Sequence, residues 1–101
     1  MPALWWMTSL GNEGVTYGDF NRLQLQRQRI AEELTRRGFT NVRVAADISG
    51  TKNGCFISIA HLSHPVPNRW WEVIIGTCDG NNIQTAQTVV NQAFNAIRFT
   101  W

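Results

Sequence analysis

The residues best suited to chemistry are two cysteines and two histidines. A nucleophilic cysteine needs a base within hydrogen-bond reach. If the strands containing Cys55 and Cys78 pair as a hairpin, His61 lies about 20 Å along the strand from the two sulfurs. The same pairing makes the two cysteines direct cross-strand neighbours, with Cβ atoms roughly 4.5–5.5 Å apart. A Cys–His dyad is therefore disfavoured, while a disulfide and a pair of buried free thiols both remain open.

In the same alignment His61 lies opposite Glu72, and a histidine beside a carboxylate is a general acid–base arrangement. Catalysis would also need a cleft and a third group, and the sequence indicates neither. We therefore predict a structural polar pair at the sheet edge. The sequence contains no CxxC, phosphate-loop, GxSxG or HExxH pattern, so we predict no catalytic residue, metal or cofactor.

An arginine-rich segment, residues 22–37, is the second group with chemical potential. Four of its arginines could contact phosphates from one helix. They are Arg22, Arg29, Arg36 and Arg37. Glu32 and Glu33 lie among them, which favours an internally paired, solvated helix face. The order helix–three strands–helix resembles the topology of double-stranded RNA-binding domains, but the last helix has no charged residue before Arg98. Nucleic-acid binding is therefore an alternative function.

Composition narrows the class of protein. The chain has 101 residues, 44% hydrophobic and 16% charged, with a net charge of +2. These values suit one globular domain over residues 1–101, and the low charge argues against disorder. No segment reaches the eighteen or so apolar residues of a membrane span, and residues 1–10 make a poor signal peptide. We expect an exported or periplasmic protein if the cysteines are oxidised and a cytoplasmic one otherwise.

Four strands and two helices are predicted to position these residues. The strands cover residues 3–10, 41–48, 55–62 and 70–78. The helices cover residues 19–37 and 83–97, each with one apolar stripe at helical spacing. The stripes consist of Phe20, Leu23, Ile30 and Leu34 in the first helix and of Ile83, Ala86, Val90, Ala93 and Ile97 in the last. We expect an α+β two-layer sandwich of order β-α-β-β-β-α, with an antiparallel three- to four-stranded sheet and both helices on one face.

Antiparallel pairing decides which side chains share a face of this sheet. A loop centred near Val66 pairs Cys55 with Cys78, and a loop centred near Thr51 pairs Val44 with Ile59. The face assigned to the helices includes Val42, Val44, Ala46 and Ile48. The other face still carries large apolar groups, namely Phe56, Leu62, Trp71, Val73 and Ile75. Adjacent tryptophans in a strand point to opposite faces, so Trp71 joins this set and Trp70 does not.

Such an apolar sheet face is rarely left in water. Either the segment around Trp5 and Trp6 folds across it or another chain covers it. We predict a small binding or interaction module, inhibitor-like and compatible with export. It would bind a protein partner or a second copy through the Trp-bearing face. Nucleic-acid binding is the alternative, an enzyme of unknown type is third, and no membrane partner is expected.

Overall fold

The computed structural model describes residues 3–16 in their backbone and residues 19–80 and 83–100 in full. The strands are β1 (Ala3–Thr16), β2 (Thr40–Val44), β3 (Ile48–Lys52), β4 (Cys55–Ser63) and β5 (Arg69–Asp79), and the helices are α1 (Phe20–Arg36) and α2 (Ile83–Phe99). The predicted α+β class is confirmed, because α1, the antiparallel strands β2 to β5 and α2 follow one another in this order. β1 pairs with β5 and extends the sheet, whose order is β1-β5-β4-β3-β2.

The predicted start of the first helix is confirmed. Asp19 is the N-cap, and its side chain accepts a 2.9 Å hydrogen bond from the backbone N–H of Arg22. This bond satisfies one of the N–H groups that the first turn of a helix leaves without an intrahelical acceptor. The capping residue therefore fixes where α1 begins.

The end of α1 is fixed by a glycine and a lysine. Gly38 has φ +92, and the next N–H, that of Phe39, donates to the carbonyl of Leu34 at 3.0 Å. This is the Schellman arrangement, which favours glycine because of its positive φ. Lys52 of β3 adds a 2.6 Å hydrogen bond from Nζ to the carbonyl of Arg37, and its ammonium lies 5.3 Å from the centre of the Phe39 ring. A cation here also complements the negative end of the helix dipole.

The predicted register of the β4–β5 hairpin is confirmed. Cys55 lies opposite Cys78 and His61 lies opposite Glu72, and the register runs without a shift between these two pairs. The loop over residues 64–68 carries both of the prolines that follow β4, and proline cannot continue a central strand. The turn therefore has one place to form, which sets the register of the whole hairpin.

The predicted single strand over residues 41–48 is wrong. Residues 45–47 turn the chain, so Val44 pairs with Ile48 across two short strands, β2 and β3. Ile48 in turn lies opposite Ile59, where the prediction had placed Val44. The face of Ile48 is nevertheless correct, because the new pairing leaves it buried against the helices.

The segment over residues 49–52, which was expected to be a loop, forms most of β3. The turn comes after it, where Asn53 and Gly54 have φ +53 and +75. Two consecutive positive φ values are typical of the two-residue type I′ hairpin turn, for which Asn-Gly is a preferred sequence. Gly50 lies in β3 at a crowded position, where a Cβ would be 3.3 Å from the Val42 side chain.

The core lies between the helices and one face of the sheet. It contains Ile30 and Leu34 of α1, Ile48, Ile57, Ile59 and Ile74 of the sheet, and Ala86, Val89, Val90, Ala93, Ala96 and Ile97 of α2. Three residues that were predicted to face the core are instead exposed, namely Phe20 and Ile83 of the helix stripes and Ala46 of the sheet face assigned to the helices. Phe20 and Ile83 are the first residues of their helices, and Ala46 lies in the β2–β3 turn.

Gly76 of β5 lies tightly against α2. A Cβ at this position would lie 2.5 Å from Cγ2 of Val90, so Gly76→Ala forces one of the two elements to shift. We expect this variant to lose about 1–3 kcal/mol of unfolding free energy, the usual cost of overpacking. The exposed neighbour gives a matched control, Thr77→Ala. Urea unfolding midpoints of the two variants test the contact, and equal midpoints would contradict it.

Candidate binding face on the open side of the sheet

The sheet face turned away from the helices is apolar and exposed. We define the open face as Phe56 and Leu62 of β4 together with Trp71, Val73 and Ile75 of β5. Phe56 and Leu62 are 50% and 51% exposed, and Trp71 and Ile75 are 36% and 39% exposed. The alternation of each strand explains this, since the residues between them are buried against the helices. The five predicted side chains therefore lie on one surface.

Along β4 the open face is low in the middle and high at its ends, while β5 places Val73 and Ile75 beside this low part. Between Phe56 and Leu62, β4 presents only Ser58 and Ala60. The neighbouring strand β3 adds another small residue, because Ser49 lies opposite Ser58. The large side chains at the two ends of β4 therefore border a shallow centre.

Polar groups border the open face on the side of β2. The Ser58 hydroxyl donates to the Asp47 carboxylate at 3.1 Å, and Arg43 is exposed on β2 opposite Ser49. Arg43 and Asp47 thus carry charge next to the apolar strands, as the rim of a protein interface does.

Trp71 is positioned by the loop that follows β4. The His64 ring packs edge-on against the indole with centroids 4.7 Å apart. His64 itself is held because its Nδ1 accepts a 3.0 Å hydrogen bond from the N–H of Val66. Trp70, half-buried, is on the helix side of the strand, as expected. These contacts restrict where Trp71 can lie.

β1 lies beside β5 rather than across the open face. Its register runs from Ala3 opposite Asp79 to Thr16 opposite Arg69, with a shift between Leu10 and Val15. The predicted strand over residues 3–10 is confirmed in its backbone and continues further. The alternative in which the segment around Trp5 and Trp6 folds across the open face does not agree with the backbone of β1, which is paired at the edge of the sheet. Their side chains, like Trp101, lie outside the described part of the structure.

The two cysteines lie where the hairpin alignment predicted. Their sulfur atoms are 2.06 Å apart, at disulfide-bond distance, and both residues are buried on the helix side. The strand ladder closes just beyond them, since the N–H of Asp79 donates to the carbonyl of Gly54. This geometry favours a disulfide over two free thiols and is compatible with an oxidising environment.

His61 and Glu72 form a buried pair with 2.8 Å between Nε2 and Oε2. Their side chains are 4% and 0% exposed, on the face of the sheet that meets the helices. They lie on the two strands joined by the hairpin loop, and β1 covers β5, so the pair is not at the outer edge that was expected. Burial leaves little room for a substrate, which favours the structural interpretation over acid–base catalysis.

Two of the four arginines predicted as phosphate ligands are paired with a carboxylate. Arg36 and Arg37 both contact the buried carboxylate of Glu33, at 2.6 and 2.9 Å. The Arg37 guanidinium also lies 5.6 Å from the centre of the Phe99 ring. Arg22 and Arg29 are exposed on α1. Nucleic-acid binding therefore stays an alternative prediction with less support than before.

Arg27 is a structural arginine that the sequence analysis did not single out. It is 7% exposed, and its Nη2 donates to the carbonyls of Ala45 and Ala46. The side chain thus ties α1 to the turn between β2 and β3. The signal that could have identified it is its position one turn before Ile30 on the buried side of α1.

No protein-family model matches the chain, and neither a curated protein nor a solved structure matches it significantly. Within residues 3–16, 19–80 and 83–100, no helix has the length and apolar content needed to cross a membrane. The same residues contain no group of three or more His, Cys, Asp or Glu side chains arranged to hold a metal ion. A function for this chain has to be argued from its own surface.

Proposed function

We propose that this protein is a small interaction module that binds another protein chain through its open face. The exposure of Phe56, Leu62, Trp71 and Ile75 on two adjacent strands supports the proposal. Fully burying such a side chain contributes about 1.5–3 kcal/mol relative to leaving it in water. A contiguous patch of this kind on a small domain usually marks a site of interaction.

The shape of the open face indicates the chemistry of its partner. The small residues Ser58 and Ala60 leave space for large apolar side chains from the other chain, and Phe56 and Leu62 confine them. Trp71, held by its contact with His64, supplies the anchor that binding energy usually depends on. The partner surface is therefore an apolar ridge with aromatic or aliphatic side chains.

The cysteines indicate the compartment in which we propose that the protein acts. A disulfide between Cys55 and Cys78 persists in an oxidising compartment and is rare where thiols are kept reduced. The pairing of Cys55 with Cys78 across the β4–β5 hairpin supports export as the location of this module. An exported interaction module can act on a protein outside the cell, which agrees with the inhibitor-like role expected from the sequence.

Selection from a displayed peptide library tests the open face without a known partner. We expect peptides enriched on the wild-type protein to carry aromatic and aliphatic residues. Their affinity for Trp71→Ser should be at least about tenfold lower, because loss of a central aromatic anchor commonly costs more than 1 kcal/mol. Dissociation constants from biolayer interferometry provide the measurement.

A second apolar residue gives the matched control. Leu25 is 64% exposed but lies on α1, away from the open face. Leu25→Ser should therefore bind the selected peptides as tightly as the wild type. If Trp71→Ser and Leu25→Ser bind equally well, or if no peptide is enriched, the open face is not a binding surface.

A further inference from the structure

We infer that a hollow at the Phe56 end of the open face binds an arginine side chain of the partner protein, an inference that rests on the proposed function. The hollow lies across the ends of β3, β4 and β5 and has a volume of about 530 Å³. This volume is within the range of pockets that bind small ligands, so a single long side chain fits. The residues that line it are Thr51, Gly54, Cys55, Phe56, Thr77 and Asp79.

The charge at this hollow has one sign. Asp79 is exposed and is the only charged residue among the described residues that line the hollow. In the part of the chain that the structure describes, the Asp79 carboxylate has neither an ion-pair partner nor a hydrogen-bond donor. Its backbone is tied to the neighbouring turn, since the N–H of Asp79 donates to the carbonyl of Gly54 at 3.1 Å. The hollow is therefore complementary in charge to a cation.

An aromatic side chain lies beside this carboxylate. Phe56 is opposite Thr77, and Asp79 follows two residues later on the same strand, so Phe56 and Asp79 are diagonal neighbours. Such neighbours are roughly 7–8 Å apart, which leaves room for a cation between them. The Phe56 side chain is half exposed, and a cation within about 6 Å of its ring centre is attracted to the π face. One cation in the hollow can therefore contact both groups.

Arginine suits these two groups better than lysine does. Its guanidinium is planar, so one face can stack on an aromatic ring while its N–H groups donate two hydrogen bonds to a carboxylate. The lysine ammonium is compact and strongly hydrated, and a hollow open to solvent does not replace its water. A charged contact of this kind contributes orientation more than affinity. The apolar side chains of the open face therefore supply affinity, and the arginine sets which way the partner lies along β5.

The peptides selected on the open face provide the first test. Peptides enriched on the wild-type protein should carry an arginine, and peptides enriched on Asp79→Asn should not. Asp79→Asn should raise the dissociation constant of an arginine-containing peptide about threefold at low salt, a usual effect of losing an exposed ion pair. The change should shrink at high salt, where exposed charges are screened. Once the arginine of the peptide is replaced by glutamine, Asp79→Asn should change the constant less than about 1.5-fold, because the contact is already lost.

Two further variants separate the hollow from general effects. Glu32→Gln removes an exposed carboxylate from α1, away from the open face, so it changes the net charge as Asp79→Asn does. It should leave the affinity for the arginine-containing peptide within about 1.5-fold of the wild type. Phe56→Leu keeps an apolar side chain and removes the π face, so it should weaken this peptide more than its glutamine counterpart. Phe56→Leu also tests the hollow if Asp79→Asn fails to fold.

A titration without peptides distinguishes the failure of this inference from the failure of the proposed function. At millimolar concentration, N-acetyl-arginine amide should shift the backbone amide resonances of Phe56, Thr77 and Asp79. The uncharged N-acetyl-citrulline amide should not shift them, and neither compound should do so in Asp79→Asn. If the two compounds act alike and Asp79→Asn binds the peptides as the wild type does, the hollow is not an arginine site, although peptides that depend on Trp71 still support the open face. Shifts specific to arginine, with peptides that do not depend on Trp71, would keep the hollow and overturn the open face.

Discussion

A chain carrying Val90→Asp should not fold. Val90 has no exposed surface, and its Cγ2 packs against Gly76 of the sheet. A carboxylate there would have to be buried without a partner, which costs several kcal/mol. The whole stability of a domain of this size is about 5–15 kcal/mol. We expect the far-ultraviolet circular dichroism spectrum at 25 °C to be that of an unfolded chain. Heating should then produce no cooperative transition.

The next residue supplies the control for this substitution. Asn91 is exposed on the same helix, so Asn91→Asp adds the same carboxylate to solvent and should melt within a few degrees of the wild type. A folded Val90→Asp protein with the wild-type melting temperature would mean that α2 packs by another face.

Removing the bond between the two cysteines should produce the next largest loss. The double variant Cys55→Ala with Cys78→Ala opens a link between residues 23 positions apart in the sequence. In the chain-entropy model this lowers the free energy of unfolding by about 3 kcal/mol. Guanidinium unfolding with and without reductant measures the loss, and reduced wild-type protein should approach the double variant.

The control for this result is the thiol count of the untreated protein. If the disulfide is formed, the wild-type chain unfolded in denaturant without reductant should react with no alkylating reagent, and reductant should expose two reactive thiols. Two alkylated cysteines before reduction would show that the sulfurs are free. The wild type and the double variant should then differ only through the smaller alanine side chains.

The hairpin of β4 and β5 could be predicted from sequence because two independent signals agree. Pro65 and Pro67 confine the turn to one short segment, and the alternation of apolar residues on both sides then fixes which faces meet. The same alignment placed Cys55 opposite Cys78 and placed the residues of the open face on one side of the sheet. The prolines of this turn therefore made it possible to predict which residues form the open face.

The prediction of the hairpin that leads into β4 was wrong because the turn was assigned to the wrong residues. Ser49 to Lys52 are polar and include a glycine, which resembles a loop. Gly50 is instead a strand residue, at a position where a Cβ would crowd the nearby Val42 side chain. Such a tertiary contact cannot be predicted from the sequence pattern. Asn53 and Gly54 carried the correct signal, since only they have the positive φ values of the turn.

Charged residues inside the molecule were the other missed feature. Arg27 and Glu33 lie on α1 among side chains that looked solvated, yet they are 7% and 5% exposed. Each is buried with partners that come from tertiary contacts or from the helix end, and periodicity alone does not identify such partners. Phe20 and Ile83 were also missed, because the first residue of a helix can continue its apolar stripe in sequence and still be exposed.

Lys52, whose ammonium donates to the carbonyl of Arg37 at the end of α1, makes the protein unusual as a target for amine-directed labelling. It is the only lysine in the sequence, so acylating reagents find one side-chain target. Acylation removes the positive charge that complements the negative end of the α1 dipole. Labelling at Lys52 should therefore weaken the end of α1, and it does so from the side of the sheet opposite to the open face, since Lys52 lies opposite the buried Cys55.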